Sequence, residues 1–125
     1  MIHLDTSLLI RALVRGSPAD RELRRWIREG VPIAMSTVAW AEFLCGPLDP
    51  VHAELAARIV SSRAPFTEED AAVSARLFND TGRRRGSLAD CMIAAVALRC
   101  SATLATCNPN DFRRLESTGL AVRAL

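Results

Sequence analysis

The sequence predicts an α/β fold whose mostly parallel sheet is covered by helices on both faces. Short apolar segments of strand length alternate with longer amphipathic segments of helix length along the 125-residue chain. The segment 87–100 is apolar nearly all round, which is typical of a buried helix. Because half of the residues are hydrophobic, the chain suits one domain with one core, spanning residues 1–125.

The first part of the chain alternates strand and helix patterns. Either Thr6 or Ser7 is expected to cap the first helix, and Gly46 to end the third. The predicted elements are a strand 2–5, a helix 6–15, an amphipathic helix around 21–28, a strand 31–36 and a helix 36–46. The amphipathic helix is expected to turn three residues inward: Leu23, Trp26 and Ile27.

The second part continues the alternation. Thr67 and Asp70 have the spacing of a capping box at the start of a helix. The predicted elements are a helix from Pro50, an edge strand 64–66, a helix 67–80, the buried helix 87–100, a buried strand 102–106, a turn with a short helix 108–116, and a last strand 120–125. The residues expected to face inward are Leu55, Ile59, Val60, Val73 and Leu77.

The composition excludes several classes of protein. No run of about eighteen apolar residues predicts a membrane span, and the N-terminus lacks the pattern of a secretory signal. None of the four cysteines forms a CxxC pair. We therefore expect a reduced, cytoplasmic protein with neither a disulfide nor a zinc site.

All sixteen basic residues are arginines, and they form two clusters. Coding bias alone would explain the absence of lysine, but arginine is also the residue that binds phosphate bidentately. "RELRRWIR" (21–28) is explained well by a solvated helix face. "GRRRG" (82–86) places Arg83, Arg84 and Arg85 in a turn directly before the helix 87–100 and is a candidate for phosphate contacts.

Asp90 is the one charged residue in the otherwise apolar stretch "GSLADCMIAAVAL" (86–98). A capping box with Ser87 would explain it, because an acid in the first turn of a helix interacts favourably with the helix dipole. Asp90 also shares a helix face with residues expected to point inward, such as Ile93 and Ala97. The local pattern therefore leaves two interpretations of Asp90 open, a helix cap and a functional acid.

Other oxygen-bearing side chains fall where the predicted strands end. Asp5 ends the first strand, and the alternative for it is a helix cap. Glu42 lies on a helix face that is otherwise apolar and is expected to point inward, with a surface position as the alternative. The end of the strand 102–106 contributes three more: Thr106, Asn108 and Asp111. In open α/β sheets the carboxyl ends of the strands form the ligand-binding crevice, so these side chains are expected to meet there.

A cluster of carboxylates needs a cation to offset the repulsion between like charges. Oxygen ligands without His or Cys favour a hard ion, Mg²⁺ or Mn²⁺, over zinc. His3 and His52 lie outside this pattern and are expected to be structural or surface residues.

Four segments, in order, resemble the motifs of PIN-domain nucleases, and most of all the VapC type, the toxin of a bacterial toxin–antitoxin pair. These segments are "IHLDTSLLI", "STVAWAEFLCG", "SLADCMIAA" and "LATCNPNDF". The resemblance implies a PIN-like three-layer α/β/α sandwich with a central sheet of four to five strands. It also implies a divalent-metal-dependent endoribonuclease, a cognate small antitoxin and a homodimer.

The resemblance assigns roles to particular residues. The metal-site acids of the family fall on Asp5, Glu42 and Asp90, which would also be the catalytic residues. The fourth acid falls on Asn108, an amide, with Asp111 as a partial substitute. The residues expected to orient the acids are Thr6 and Thr106. The implied reaction is hydrolysis of an RNA phosphodiester by a metal-activated water, with the flanking RNA backbone bound by Arg83, Arg84 and Arg85.

Two other classes of protein share some of these features. A response-regulator receiver also has acids at strand ends, but it needs a Lys near the last strand, and this chain has none. A degenerate PIN-like module that binds RNA or protein without cutting stays open because of Asn108. For the antitoxin, we expect a surface formed by apolar residues of the early helices in excess of what one small core needs, such as Leu9, Trp26 and Phe43.

Overall fold

A computed structural model describes residues 1–125 and confirms the α/β fold. The strands are β1 (Ile2–Leu4), β2 (Ile33–Ser36), β3 (Arg63–Ala64), β4 (Thr103–Thr106) and β5 (Ala121–Ala124). The helices are α1 (Thr6–Ala12), α2 (Pro18–Arg28), α3 (Thr37–Cys45), α4 (Pro50–Ile59), α5 (Glu68–Asp80) and α6 (Leu88–Arg99). Two short 3₁₀ helices, Pro109–Asp111 and Arg113–Thr118, replace the single short helix expected over 108–116.

The five strands form one sheet in the order β3-β2-β1-β4-β5, and every pairing is parallel. The central strand β1 pairs with β2 on one side and β4 on the other, so that Leu4 lies opposite both Met35 and Ala105. The chain runs outward from β1 to β3 and then returns to β4 on the opposite side of β1. The order of the strands therefore reverses between β1 and β4, which is where α/β sheets form their binding crevice.

Right-handed crossovers put the helices in two layers. Helices α1 to α4 connect β1, β2 and β3, whereas α5 and α6 lead back to β4 and therefore cover the opposite face. The core between these layers contains the largest fully buried side chains, among them Phe43, Phe112, Leu4, Met35 and Leu104. The predicted three-layer sandwich is confirmed, with the sheet at its upper expected count of five strands.

Helix α5 begins with the predicted capping box and is joined to α6 by an ion pair. Thr67 Oγ1 accepts a hydrogen bond from Asp70 N, and Asp70 Oδ2 accepts one from Thr67 N. Arg99 Nε, near the end of α6, lies 2.9 Å from Asp70 Oδ1. Asp70 is almost completely buried, with 1% of its surface exposed. One carboxylate thus starts α5 and also ties it to α6.

Two predicted caps are wrong. The N-cap of α1 is Asp5, whose Oδ1 accepts a hydrogen bond from Leu8 N, and neither Thr6 nor Ser7 takes that role. Ser87 makes no side-chain cap for α6, because its hydroxyl instead donates to the carbonyl of Arg84 at 2.6 Å. The capping-box explanation of Asp90 therefore fails.

Several inward-facing assignments are also wrong. Ile27 and Leu55 were expected inside but are 52% and 46% exposed, since Trp26 and Ala56, one position along each helix, take the buried places. Leu9, Trp26 and Phe43 were expected at a partner surface but are core residues, exposed by 0%, 5% and 1%. The other inward assignments hold in full or in part: Leu23, Val60 and Leu77 are buried, and Ile59 and Val73 are half-buried.

His3 lies in the middle of the sheet and is 1% exposed, whereas His52 is exposed. Neither ring nitrogen of His3 has a hydrogen-bond partner. Cys91 is buried, Cys45 is exposed, and all four cysteines are free thiols. None of the helices is long and apolar enough to cross a membrane.

Candidate active site

The Asp5 carboxylate lies at the carboxyl end of β1 and is held by four hydrogen bonds. Ser7 Oγ donates to Oδ1 at 2.8 Å and lies 2.9 Å from Oδ2, and Leu8 N donates to Oδ1 at 2.8 Å. Thr106 Oγ1, at the end of β4, donates to Oδ2 at 2.5 Å. Burial raises the pKa of Asp5, while the hydrogen bonds from Thr106, Leu8 and Ser7 oppose that rise. Asp5 is therefore fixed in place and partly desolvated.

Ser7 and Thr106 also hold the backbone that follows β4. Ser7 Oγ accepts a hydrogen bond from Cys107 N at 3.0 Å, and Thr106 Oγ1 accepts one from Asn108 N at 2.9 Å. The two hydroxyls lie 3.3 Å apart. Sequence reasoning considered Ser7 only as a cap. Its position two residues after Asp5, in the turn that leaves the strand, was the signal that it could reach that carboxylate.

Glu42 lies on the middle of α3 and is connected to the site through Thr6. Thr6 Oγ1 lies 2.9 Å from Glu42 Oε1 and 3.1 Å from the carbonyl of Ala39. The expectation that the face of α3 carrying Glu42 points inward is wrong, because both Glu42 and Cys45 are exposed. Only Ala39 of that face is fully buried, so Glu42 reaches the crevice from its solvent side.

Asp90 is half-buried in the first turn of α6. Burial, followed by the negative charges of Asp111, Glu42 and Asp5, raises the pKa of Asp90 to about 6. The positive charge of Arg114 is the one opposing influence, and no hydrogen bond contributes. Carboxylates from separate parts of the chain thus act on one another here, and Asp90 carries the strain of their repulsion.

Asp111, rather than Asn108, is the acid that follows β4 into this region. Asp111 and Asp90 line the same polar pocket of about 90 Å³, and the charge of Asp111 raises the pKa of both Asp90 and Asp5. Asn108 is exposed, and its side chain makes no capping hydrogen bond. The structure therefore brings together Asp5, Glu42, Asp90 and Asp111 and leaves Asn108 at the rim.

The donor set fits a hard divalent cation in charge and in chemistry, because it contains only carboxylate oxygens held at a repulsive distance. As the side chains stand, no three His, Cys, Asp or Glu residues are close enough to hold one ion together. Asp5 is locked, whereas Asp90 has no hydrogen bond and Glu42 has one. Hydrogen bonds therefore restrain Asp5 more than Glu42 or Asp90.

Arginines surround the same pocket. Arg84 and Arg85 line it together with Gly86, whereas Arg83 does not and has a left-handed φ of 52°. None of the three forms a salt bridge, which distinguishes them from the 21–28 cluster, where Arg24 and Arg25 pair with acids of their own helix. That first cluster is the solvated face that the sequence predicted.

Arg114 also lines the pocket, and sequence reasoning missed it. It follows Asp111 by three residues: Asp111 ends the first 3₁₀ helix, and Arg114 lies at the start of the second. This three-residue spacing was the signal in the sequence that could have placed Arg114 near Asp111. Arg114 is half-buried, and its charge lowers the pKa of Asp90 and of Cys91.

The fold is that of a PIN domain. The sequence model of the family described as "PIN domain" matches residues 2–117, and this chain belongs to that family. No curated protein sequence is significantly similar to it.

Solved structures share the fold across nearly the whole chain. VapBC2 from Rickettsia felis, bound to a promoter DNA fragment, superposes with a TM-score of 0.79 at 19% identity, covering 100% of this chain and 99% of that one. DNA-bound VapBC from Salmonella typhimurium gives 0.78 at 20% identity, covering 98% and 96%. A toxin–antitoxin complex from Klebsiella pneumoniae gives 0.71 at 23% identity, covering 90% of each. At these identities the likeness establishes the fold.

Proposed function

We propose that this chain is a divalent-metal-dependent endoribonuclease and the toxin of a toxin–antitoxin pair. One observation carries the nuclease proposal: Asp90 is half-buried without a hydrogen bond, and burial together with the negative charges of Asp111, Glu42 and Asp5 raises its pKa to about 6. This cluster lies at the strand reversal of a PIN fold, where the arrangement is costly unless a cation or a proton neutralises it.

Asp5, Asp90 and Glu42 are the residues that would hold the ion, Mg²⁺ or Mn²⁺, with Asp111 in place of the amide Asn108. When bound, such an ion would lower the pKa of a water so that hydroxide is available to attack a phosphodiester, and it would offset the charge that develops on the phosphate. Thr106 and Ser7 keep Asp5 in one orientation, and Thr6 positions Glu42. Arg84 and Arg85 are placed to contact the RNA backbone, which explains affinity but no sequence preference.

The antitoxin proposal is supported by the toxin–antitoxin complexes that share this fold, and the homodimer proposal rests on the family resemblance alone. The chain supports the former with a cleft of about 380 Å³ between α1, α2 and α4. Its lining includes Leu13, Leu23 and the exposed side chains of Ile27 and Leu55. Exposed apolar residues gathered in one cleft are typical of a protein-binding surface. This cleft replaces Leu9, Trp26 and Phe43 as the surface proposed for the partner.

The nuclease proposal is tested by incubating purified protein with cellular RNA in Mg²⁺, in Mn²⁺ and in EDTA, and mapping the ends produced. We expect discrete cuts that require the metal and disappear in Asp90→Asn. Asp80→Asn is a matched control, because Asp80 is an exposed acid at the C-terminal end of α5 and does not line the pocket that contains Asp90. Cleavage that persists in EDTA, or in Asp90→Asn, would contradict the proposal.

The toxin proposal is tested by expression. Wild-type protein is expected to slow growth, Asp90→Asn to be harmless, and co-expression of the neighbouring small gene to relieve the effect. Harmless accumulation of folded protein that is active on RNA would contradict the toxin assignment.

A second candidate function is a PIN-like module that binds RNA or protein without cutting. Two observations favour it: Asn108 stands where the family has its fourth acid, and no three side chains converge on one point. RNA that is bound but left intact in Mg²⁺ and in Mn²⁺ would support this module and exclude the nuclease.

A further inference from the structure

Arg114 carries a positive charge into the acid cluster without pairing with any of the acids. It lines the pocket that contains Asp90 and Asp111, yet neither carboxylate lies within salt-bridge distance of it. An arginine that served only to neutralise the acids would be expected to form a hydrogen-bonded pair with one of them.

Two of its donors are buried and unpartnered. Arg114 Nε and Nη2 are both shielded from solvent and have no hydrogen-bond acceptor. These two nitrogens form one edge of the guanidinium, the edge that binds two oxygens of a phosphate or carboxylate side by side. Burying such donors without a partner is unfavourable, so the structure contains a strong anion-binding group with no anion of its own.

Arg63 is the other arginine that has a buried nitrogen without a hydrogen-bond partner, and its remaining contacts explain its position. Its Nε is also buried without a partner, but its guanidinium lies 4.0 Å from the centre of the Trp40 ring, and its Nη2 donates to the carbonyl of Ala57. A stacking interaction and a backbone bond therefore account for the position of Arg63. Arg114 has no aromatic ring to stack on, and the side-chain contact that it does make is with the Cys91 thiol, a weak hydrogen-bond acceptor.

The pocket beside Arg114 has the size and chemistry of a phosphate site. Its volume is about 90 Å³, and none of its seven lining residues is hydrophobic. That is the space of roughly three water molecules. A nucleobase would need an apolar or aromatic surface to stack on, which this pocket lacks. Arg84 and Arg85 supply two further unpaired charges at its edge.

We propose that Arg114, together with Arg84 and Arg85, forms a phosphate-binding subsite that holds the non-bridging oxygens of an RNA phosphodiester beside Asp90. The proposal deepens the nuclease function proposed above and rests on it for the identity of the ligand. A polyanion approaching four carboxylates needs local positive charge, and these are the arginines that face them. Arg114 turns its free edge into the pocket by rotation about its side-chain bonds.

The first experiment observes Arg114 directly in the wild-type protein. The arginine Nε–H resonances are followed by ¹⁵N NMR while inorganic phosphate is added in EDTA, with chloride at equal ionic strength as the reference. The Arg114 signal is assigned by its loss in Arg114→Lys. It is expected to shift with phosphate and to stay in place with chloride, while that of exposed Arg113 stays in place with both. An unmoved Arg114 signal would overturn the proposal.

The second experiment measures binding of a short single-stranded RNA in EDTA by fluorescence anisotropy at several salt concentrations. Arg114→Gln is expected to weaken binding about tenfold beyond Arg113→Gln and to reduce the salt slope by about 0.7. Arg113→Gln is the matched control, since it removes the same charge one residue away. Arg114→Lys is expected to keep the slope and lose part of the affinity. Thermal melts verify that each variant folds.

The outcomes separate this proposal from the nuclease proposal. If wild type cuts RNA and Arg114→Gln binds RNA as Arg113→Gln does, the subsite is wrong and the nuclease stands. If the Arg114 resonance responds to phosphate and RNA is bound but never cut, the subsite stands and the nuclease is wrong.

Discussion

Thr106 Oγ1 donates a hydrogen bond of 2.5 Å to Asp5 Oδ2, and the two residues are 101 positions apart in the sequence. The contact joins the ends of β1 and β4, the two strands between which the order of the sheet reverses. It gives the site one acid of fixed position. Asp90, with no such contact, is the movable acid.

Thr106→Val tests how much this contact stabilises the protein. Valine fills the same volume but offers no donor to Asp5 and no acceptor to Asn108 N, both of which Thr106 serves. The free energy of unfolding is expected to fall by about 1–3 kcal/mol, because buried polar groups lose their partner. Urea denaturation measures it. Thr103→Val, on the same strand but without a side-chain hydrogen bond, is expected to be neutral, and an equal loss there would remove the special role of Thr106.

Asp90→Asn is expected to stabilise the protein in EDTA. The pKa of Asp90 is raised to about 6 in the folded protein, so folding is favoured by protonation below pH of about 4 and loses that contribution as the pH rises through 6. Asp90→Asn has no carboxylate to deprotonate, so it does not lose stability over this pH range. At pH 7 the gain should be on the order of 1 kcal/mol, since the half-exposed carboxylate is partly screened.

Melting temperatures in EDTA between pH 4 and pH 8, with Asp80→Asn as control, measure this difference. Excess Mg²⁺ is expected to raise the melting temperature of wild type and not of Asp90→Asn. A variant that is less stable than wild type at pH 7 would contradict this prediction, because it would mean that the favourable interaction of Asp90 with the helix dipole outweighs the repulsion between the acids.

Arg99→Gln is expected to be strongly destabilising. It leaves the buried Asp70 carboxylate with its Thr67 contacts but without its charge partner, at a cost of about 3 kcal/mol. Burial raises the pKa of Asp70, but the hydrogen bonds from Arg99 and Thr67 outweigh it and leave the pKa below its ordinary value.

The Asp70–Arg99 pair therefore stabilises wild type above the ordinary pKa of an aspartate, and this contribution is lost as the pH falls through the lower, folded-state pKa. Arg99→Gln should reduce that dependence. Arg58→Gln breaks the exposed pair with Glu54 and should cost less than about 0.5 kcal/mol. Similar losses in the two variants would contradict the view that burial makes the difference.

His3→Leu is expected to stabilise the protein. Burial lowers the pKa of His3, as do the positive charges of Arg99 and the N-terminal amine. Below a pH of about 6.5 the unfolded chain therefore takes up the proton first, so that wild type loses stability on acidification. Leucine removes this loss and the two unpartnered nitrogens, for a gain of about 1 kcal/mol at pH 7. Exposed His52→Leu is the control and should leave the pH profile unchanged.

The order of elements and the parallel sheet were predictable because each element has a local signal. Strand segments are short and apolar, and helices start at recognisable caps, such as the Thr67–Asp70 box. The face of a helix was less predictable where two apolar residues are adjacent. Trp26 and Ile27 differ by one position, and only the neighbouring helices decide which of them is buried.

The positions of the acids along the chain could be predicted from the sequence, but the contacts that hold them could not. Asp5 and Asp90 follow from strand-end and helix-start positions, whereas the exposure of Glu42 depends on where α3 lies relative to solvent. The choice of Asp111 over Asn108 depends on the 3₁₀ geometry after β4. Arg114 enters the pocket through that same geometry, which no periodic pattern in the sequence encodes.

The hydroxyl of Ser7 has a consequence for the newly made chain. It contacts Asp5, two residues before it, and also Cys107 N, 100 residues later. During synthesis the first acid of the site emerges early, but its surroundings are not complete until β4 has been made and has docked beside β1. An unfinished chain on the ribosome therefore lacks the contacts from Thr106 and the Cys107 backbone that hold Asp5 and Ser7 in one arrangement.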